Sequence, residues 1–148
     1  MARIPPSLRS EYSLFRPVQT RWNDNDLYGH MNNAVHYQLF DTAVNGWLIE
    51  QGLLTFGTET AFIVAETGCR YHGDLMFPET IQAGLRIERL GGSSVVWQIG
   101  LFRGGASEAA ADGRFVHVHV TSDGHKPTPM EASQRDKLLP LVMAGELS

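Results

Sequence analysis

Two carboxylates, a glycine, a histidine and several amides crowd into Arg21-Trp22-Asn23-Asp24-Asn25-Asp26-Leu27-Tyr28-Gly29-His30-Met31-Asn32-Asn33, directly ahead of an apolar helical run. Aspartate and histidine are the side chains of nucleophilic and acid–base chemistry. The unpaired N–H groups at a helix mouth, with the positive end of its dipole, suit an anion. The same residues would also write a plain surface turn, with Asp24, Asn25, Asp26 and Gly29 as turn formers and Asn32 or Asn33 as an N-cap. The order D-x-D-x-x-G-H-x-N-N, with Tyr37 one turn into the helix, tips the reading towards chemistry.

The flanking elements must hold that segment in place. Tyr12 to Trp22 mixes aromatic and β-branched residues with polar ones and predicts a first strand, and Asp24 to His30 is then the loop. From about Asn33 to Gln51, Val35, Leu39, Ala43 and Trp47 recur at four-residue spacing, with Phe40, Val44 and Leu48 widening the stripe, so a helix buried over much of its surface is expected. Gly52 supplies its stop. Phe62 to His72 reads as a strand. Ile81, Ala83, Leu85 and Ile87 then alternate with polar residues, Val95 to Leu101 follows a Gly91-Gly92 turn, and Val116 to Val120 follows an Asp112-Gly113 turn, which predicts three meandering antiparallel strands. A short helix over Ala132 to Leu139 ends at Pro140. The expected architecture is a single α+β domain over 1–148, with a core of about 12–122, in which one sheet buries one long helix and one sheet face lacks a helical cover.

The chain has 148 residues, 43% hydrophobic and 19% charged, with a net charge of −4. That describes one globular domain with no bias towards nucleic acid. No apolar run matches a signal peptide or a membrane span, so no membrane partner and a cytoplasmic location are expected. Cys69 is the only cysteine and reads as a small hydrophobe in a strand. His117-Val118-His119 has the H-x-H form of some metal sites, but zinc needs at least one more ligand, and no metal is expected. His72, Asp74 and Asp123-Gly124-His125 look like strand ends and turns.

The motif resembles that of the acyl-CoA thioesterases of the hotdog fold, the 4-hydroxybenzoyl-CoA thioesterase-like group, and the resemblance covers roughly Val18 to Leu139. It implies an antiparallel sheet wrapped around the central helix, and sheets joined edge to edge in a homodimer, often paired again into a tetramer, with active sites at the subunit interface. It implies hydrolysis of acyl-CoA, with coenzyme A as part of the substrate and no other cofactor. By the same resemblance Asp26 is the nucleophile or general base, Gly29 lets the backbone approach the thioester, and the Asn33 N–H is the oxyanion donor. His30 is catalytic in the broader acyl thioesterases, including plant acyl-ACP enzymes, whose motif G-H-x-N-N matches.

Two departures stand out. The plant enzymes carry an asparagine two residues before the histidine, where this chain has Tyr28. Relatives also place Arg or Lys in the turn between the central strands, where this chain reads Leu90-Gly91-Gly92-Ser93-Ser94. Arg89, Arg70, Arg103 or Arg114 then become the candidates for the nucleotide phosphates. Tyr28, Asn32, Tyr37, Arg89 and Ser94 complete the expected substrate-binding set, and Trp47, Trp97, Phe40 and Phe62 are candidates for the acyl pocket. An acyl-ACP substrate and a non-catalytic acyl-CoA-binding module are the alternatives.

Overall fold

The computed structural model describes residues 3–143. Strand β1 (Leu14–Gln19) leads to helix α1 (Val35–Glu50), followed by β2 (Thr60–Tyr71), β3 (Thr80–Leu90), β4 (Ser94–Arg103), β5 (Ala111–Thr121) and the short helix α2 (Ala132–Leu138). The five strands form one antiparallel sheet in the order β1-β3-β4-β5-β2. The expected α+β class and the central meander therefore hold.

Alternation decides the two faces. Ile81, Ala83, Leu85 and Ile87 of β3, Val95, Trp97, Ile99 and Leu101 of β4, and Ala111 and Phe115 of β5 point to the helix, where they meet Leu39, Phe40, Ala43, Val44, Trp47 and Leu48. Burial of each large side chain here contributes on the order of 2–3 kcal/mol. Phe40, Trp47 and Trp97, read as acyl-pocket candidates, are core residues instead, with the two indoles packed edge to face at 5.7 Å. Phe62 is half-buried and lies against the rings of His117 and His119.

Several boundaries shift, each for a local reason. The first strand stops at Gln19 rather than Trp22, because the Asp24 carboxylate captures the Arg21 backbone N–H and bends Trp22–Asp24 into a 3-10 turn. The long helix begins at Val35, two residues late. Ala34 occupies the N-cap position without a side-chain cap bond, and the Asn32 Oδ1 accepts the Ala34 N–H from outside the helix. Gly52, at φ +73°, ends it as expected. The predicted Asp112-Gly113 turn is absent: both residues lie inside β5. A Cβ at Gly113 would sit 2.6 Å from the Phe40 ring, so glycine is there to admit that ring and not to turn the chain.

The face away from α1 is covered at one end by the N-terminal segment, where Tyr12, Phe102 and Ala109, with Phe15 beside them, form a second small apolar cluster. The middle of that face is polar, and Val96, Val116 and Val118 follow it towards the β3–β4 hairpin. Arg86 Nε donates to Gln98 Oε1 at 2.8 Å, Gln98 Nε2 donates to Glu88 Oε1 at 2.8 Å, and Arg114 reaches Glu88 at 3.6 Å.

Seating Phe40 against bare backbone makes Gly113 intolerant of even a methyl group. Gly113→Ala is expected to cost roughly 1–3 kcal/mol by overpacking, read as a fall of several degrees in Tm. Gly68→Ala, where a Cβ meets nothing within 4 Å, should leave Tm nearly unchanged. Equal Tm values for the two variants would contradict this account.

Candidate active site

The D-x-D pair divides into a structural and a free carboxylate. Asp24 is buried at 1% exposure and accepts three hydrogen bonds from Arg21, from the backbone N–H at 2.8 Å, Nε at 3.1 Å and Nη2 at 2.8 Å. A buried charge needs such partners. The Asp24 carbonyl also takes the Asn32 N–H at 2.8 Å, which ties both ends of the loop together. Asp26 is exposed and is engaged only locally, its Oδ1 accepting the Tyr28 N–H at 2.8 Å. Between them Asn25 Oδ1 accepts the Phe77 N–H, and the Met31 N–H donates to the Leu75 carbonyl, so the loop is fastened to the segment that enters β3.

Gly29 closes the turn at φ +81°, a conformation that strains any L residue, and its N–H donates to the Asp26 carbonyl at 3.1 Å. His30 then faces Asp74, with Nδ1 3.7 Å from Oδ2. At the helix entrance the Asn32 side chain takes the Ala34 N–H and the Asn32 carbonyl takes the Val35 N–H, both at 2.9 Å. Among the described residues no acceptor meets the Asn33 N–H.

These groups line one cleft of about 300 Å³, made by Asp26, Tyr28, His30, Met31, Asn33 and His36 together with Tyr71, Gly73, Asp74 and Leu75. The structure therefore gathers Asp26, His30, Asn33 and Tyr28, with Gly29 and Asn32 shaping the backbone between them. It leaves out the other predicted residues. Tyr37 packs edge-on against Phe40 at 6.1 Å and approaches the cleft only through Tyr71. Arg89 sits at a bulge opposite Val96, and Ser94 opens β4, so both lie at the β3–β4 hairpin, about 20 Å along the strands from Tyr71 at the cleft.

Three cleft residues escaped the sequence reading. His36 is buried, its ring meets that of Tyr71 edge-on at 4.7 Å, and burial holds it below the ordinary histidine pKa, with the backbone of Asn33 and Asn32 pulling the other way. Its position three residues after Asn33 is the one signal that could have found it. Tyr71 and Asp74 arrive from the end of β2 and the following loop, too distant in sequence for spacing to reveal. Asp74 faces His30, whereas His72 pairs with Asp112 at 2.9 Å. Cys69 is half-buried, and burial pushes its thiol up to about 11, which suits the inert role expected of it.

A larger cavity of about 630 Å³ lies on the polar sheet face beneath residues 4–7. Its Arg86, Gln98, Glu88 and Arg114 engage one another, and of its lining arginines Arg70 alone has no acidic partner among the described residues.

A family model described as the thioesterase-like superfamily matches residues 20–138. The chain belongs to that superfamily. Its fold is the hotdog fold, as the agreement with solved relatives requires. The thioesterase-like chain is 45% identical to the PA5185 protein of Pseudomonas aeruginosa, covering 95% of this chain and 99% of that one, with a TM-score of 0.90. It is 27% identical to PA2801, a putative thioesterase of the same organism, over 83% and 95% of the two chains, with a TM-score of 0.78. A Thermus thermophilus thioesterase solved in complex with coenzyme A and Zn is 27% identical over 88% and 95%, with a TM-score of 0.73.

The two histidines of the H-x-H run face α1 together, as strand alternation predicts. His119 Nδ1 donates to the Thr128 carbonyl at 2.8 Å, while His117 is walled by Trp97, Phe115 and Phe62. Among the described residues no group of three or more His, Cys, Asp or Glu could hold a metal ion. Burial pulls the His117 pKa down to about 4. An unfolded histidine protonates near 6.5, so between pH 6.5 and 4 the unfolded chain binds the extra proton and stability falls as the pH falls. The expected loss is about 3 kcal/mol across that window, and His117→Leu should flatten it. Denaturation midpoints at a series of pH values test this; an unchanged slope in the variant would count against it.

Proposed function

We propose that this protein hydrolyses acyl-CoA thioesters to the free acid and CoA. The observation that carries the reading is the cleft, which pairs the one unclamped carboxylate of the D-x-D motif with a helix-entry N–H that has no acceptor among the described residues. Asp26 either attacks the thioester carbonyl, forming an acyl-aspartyl anhydride that water then cleaves to the free acid, or takes a proton from a water that attacks the carbonyl itself. The Asn33 N–H, aided by the positive end of α1, receives the oxyanion. His30 orients the attacking group, and the thiolate leaves without strong acid assistance. These steps use only groups of this chain.

The choice of CoA is supported by the 27% identical Thermus thermophilus thioesterase, solved with that molecule. Among the arginines considered for its phosphates, Arg103 is held by Glu79 at 2.7 Å and Arg114 by Glu66 and Glu88. Arg70 is exposed and has no acidic partner among the described residues, which favours it. Arg89 and Ser94 serve this cleft only if a second copy brings them to it.

The reading includes a homodimer. Strand β2 is twelve residues long, lies at the sheet edge and exposes Val64 among others, a template for pairing with another chain. Leu27 and Tyr28, beside the cleft, are also largely exposed. Sedimentation equilibrium at micromolar concentration is expected to give about twice the 16.4 kDa chain mass; a monomer would remove the second copy from the site.

Thiol release from acyl-CoAs ranging from acetyl to palmitoyl, with benzoyl and phenylacetyl, is the direct test. Asp26→Asn should keep the fold and lose at least about 100-fold in kcat. Full activity in that variant would sink the assignment, and tight binding without thiol release would favour an acyl-CoA-binding module. Release from acyl carrier protein alone would move the substrate there.

A further inference from the structure

Asn33 stands between two peptide planes, and three hydrogen bonds pin them. The plane before it is held by the Asn32 carbonyl, which accepts the Val35 N–H at 2.9 Å. The plane after it is held on one side by the Ala34 N–H, which donates to Asn32 Oδ1 at 2.9 Å. Its other side is held by Tyr71, whose hydroxyl donates to the Asn33 carbonyl at 2.6 Å. The first two pins are local to the helix entrance. The third reaches across 38 residues from the end of β2.

The surroundings of Tyr71 keep that third pin in place. Its ring is braced edge-on by buried His36, itself in the first turn of α1. Desolvation, with Cys69 and Tyr37 beside it, pushes the hydroxyl up to about 12, so it stays a donor at any working pH. Without it, the plane after Asn33 hangs on the Asn32 side chain alone, and the Val35 N–H beyond that plane is less firmly placed against the Asn32 carbonyl, which shares a peptide plane with the Asn33 N–H.

We propose that Tyr71 is a positioning residue for thioester hydrolysis: by fixing the Asn33 carbonyl, it aims the Asn33 N–H at the place where the oxyanion forms. The proposal rests on the hydrolase reading of this cleft. Tyr71 does not touch the reacting atoms in this role. It sets the direction of a donor whose value depends on being aligned before the reaction begins.

The test is Tyr71→Phe, which removes one oxygen from a partly exposed ring and should leave Tm within about 2 °C. Outright loss of an oxyanion donor lowers kcat about 10²–10³-fold, so mis-aiming one is expected to lower it about 10- to 100-fold, with KM within about twofold. Asn32→Ala, which removes a different pin of the same planes, should give the same split. Thiol release that Asp26→Asn abolishes and Tyr71→Phe leaves intact overturns the positioning role alone. A raised KM at unchanged kcat in Tyr71→Phe also overturns it, because the ring would then only line the cleft. No thiol release from the wild-type protein overturns both this proposal and the hydrolase reading.

Discussion

Phe40 lies against bare backbone at Gly113, and around that contact seven residues of α1, His36 among them, turn inward onto the sheet. This seating is what the site depends on. It fixes the axis of α1, and with it the position of the helix mouth beside the end of β2 and the loop that enters β3. A helix entrance always carries N–H groups that the helix itself cannot satisfy. Here Asn32 absorbs two of them, one with its side chain and one with its carbonyl. The Asn33 N–H, which meets no acceptor among the described residues, is what remains of that local accounting.

The same logic separates the two aspartates. Burying a carboxylate is tolerable only when its oxygens are filled, and Asp24 is filled by three bonds from Arg21. That clamp, the Asn32 N–H on the Asp24 carbonyl and the Met31 N–H on the Leu75 carbonyl hold the loop at both ends. Asp26 is left with one local bond on a rigid turn whose geometry only glycine supplies at position 29. The clamped carboxylate and the exposed one are thus different members of one short motif. Hydrophobicity and turn propensity do not distinguish Asp24 from Asp26; their partners do.

Much of the fold was legible because period is a direct consequence of backbone geometry: the four-residue spacing of α1 and the alternation in β3 to β5 name their buried faces without any tertiary knowledge. That Asp26, Tyr28, His30 and Asn33 would lie near one another was legible for a related reason, since they are close in sequence, and the structure places all four in one cleft. What failed was everything that depends on who packs against whom. Asp112-Gly113 has the chemistry of a turn, but Gly113 answers to Phe40. Trp47, Trp97 and Phe40 have the size of pocket walls, yet the interior claims them. Tyr71, His36 and Asp74 reach the cleft through the sheet's register or the helix's rotation, and no spacing within the motif announces them.

Strand β2 connects these observations. It is the longer of the sheet's two edge strands, with twelve residues and a bulge between Val64 and Glu66, and an edge of that length is a template for another strand. Its last residue is Tyr71, which holds the Asn33 carbonyl. Edge strands open locally more readily than paired ones, and any fraying at that end loosens the pin on the helix mouth. In the dimer proposed above, pairing along β2 would suppress the fraying, so assembly and the aim of the Asn33 N–H would be coupled through one strand. The coupling needs no conformational switch. A strand that is better held at its edge holds its terminal tyrosine better, and the tyrosine passes that order to the backbone where charge would develop.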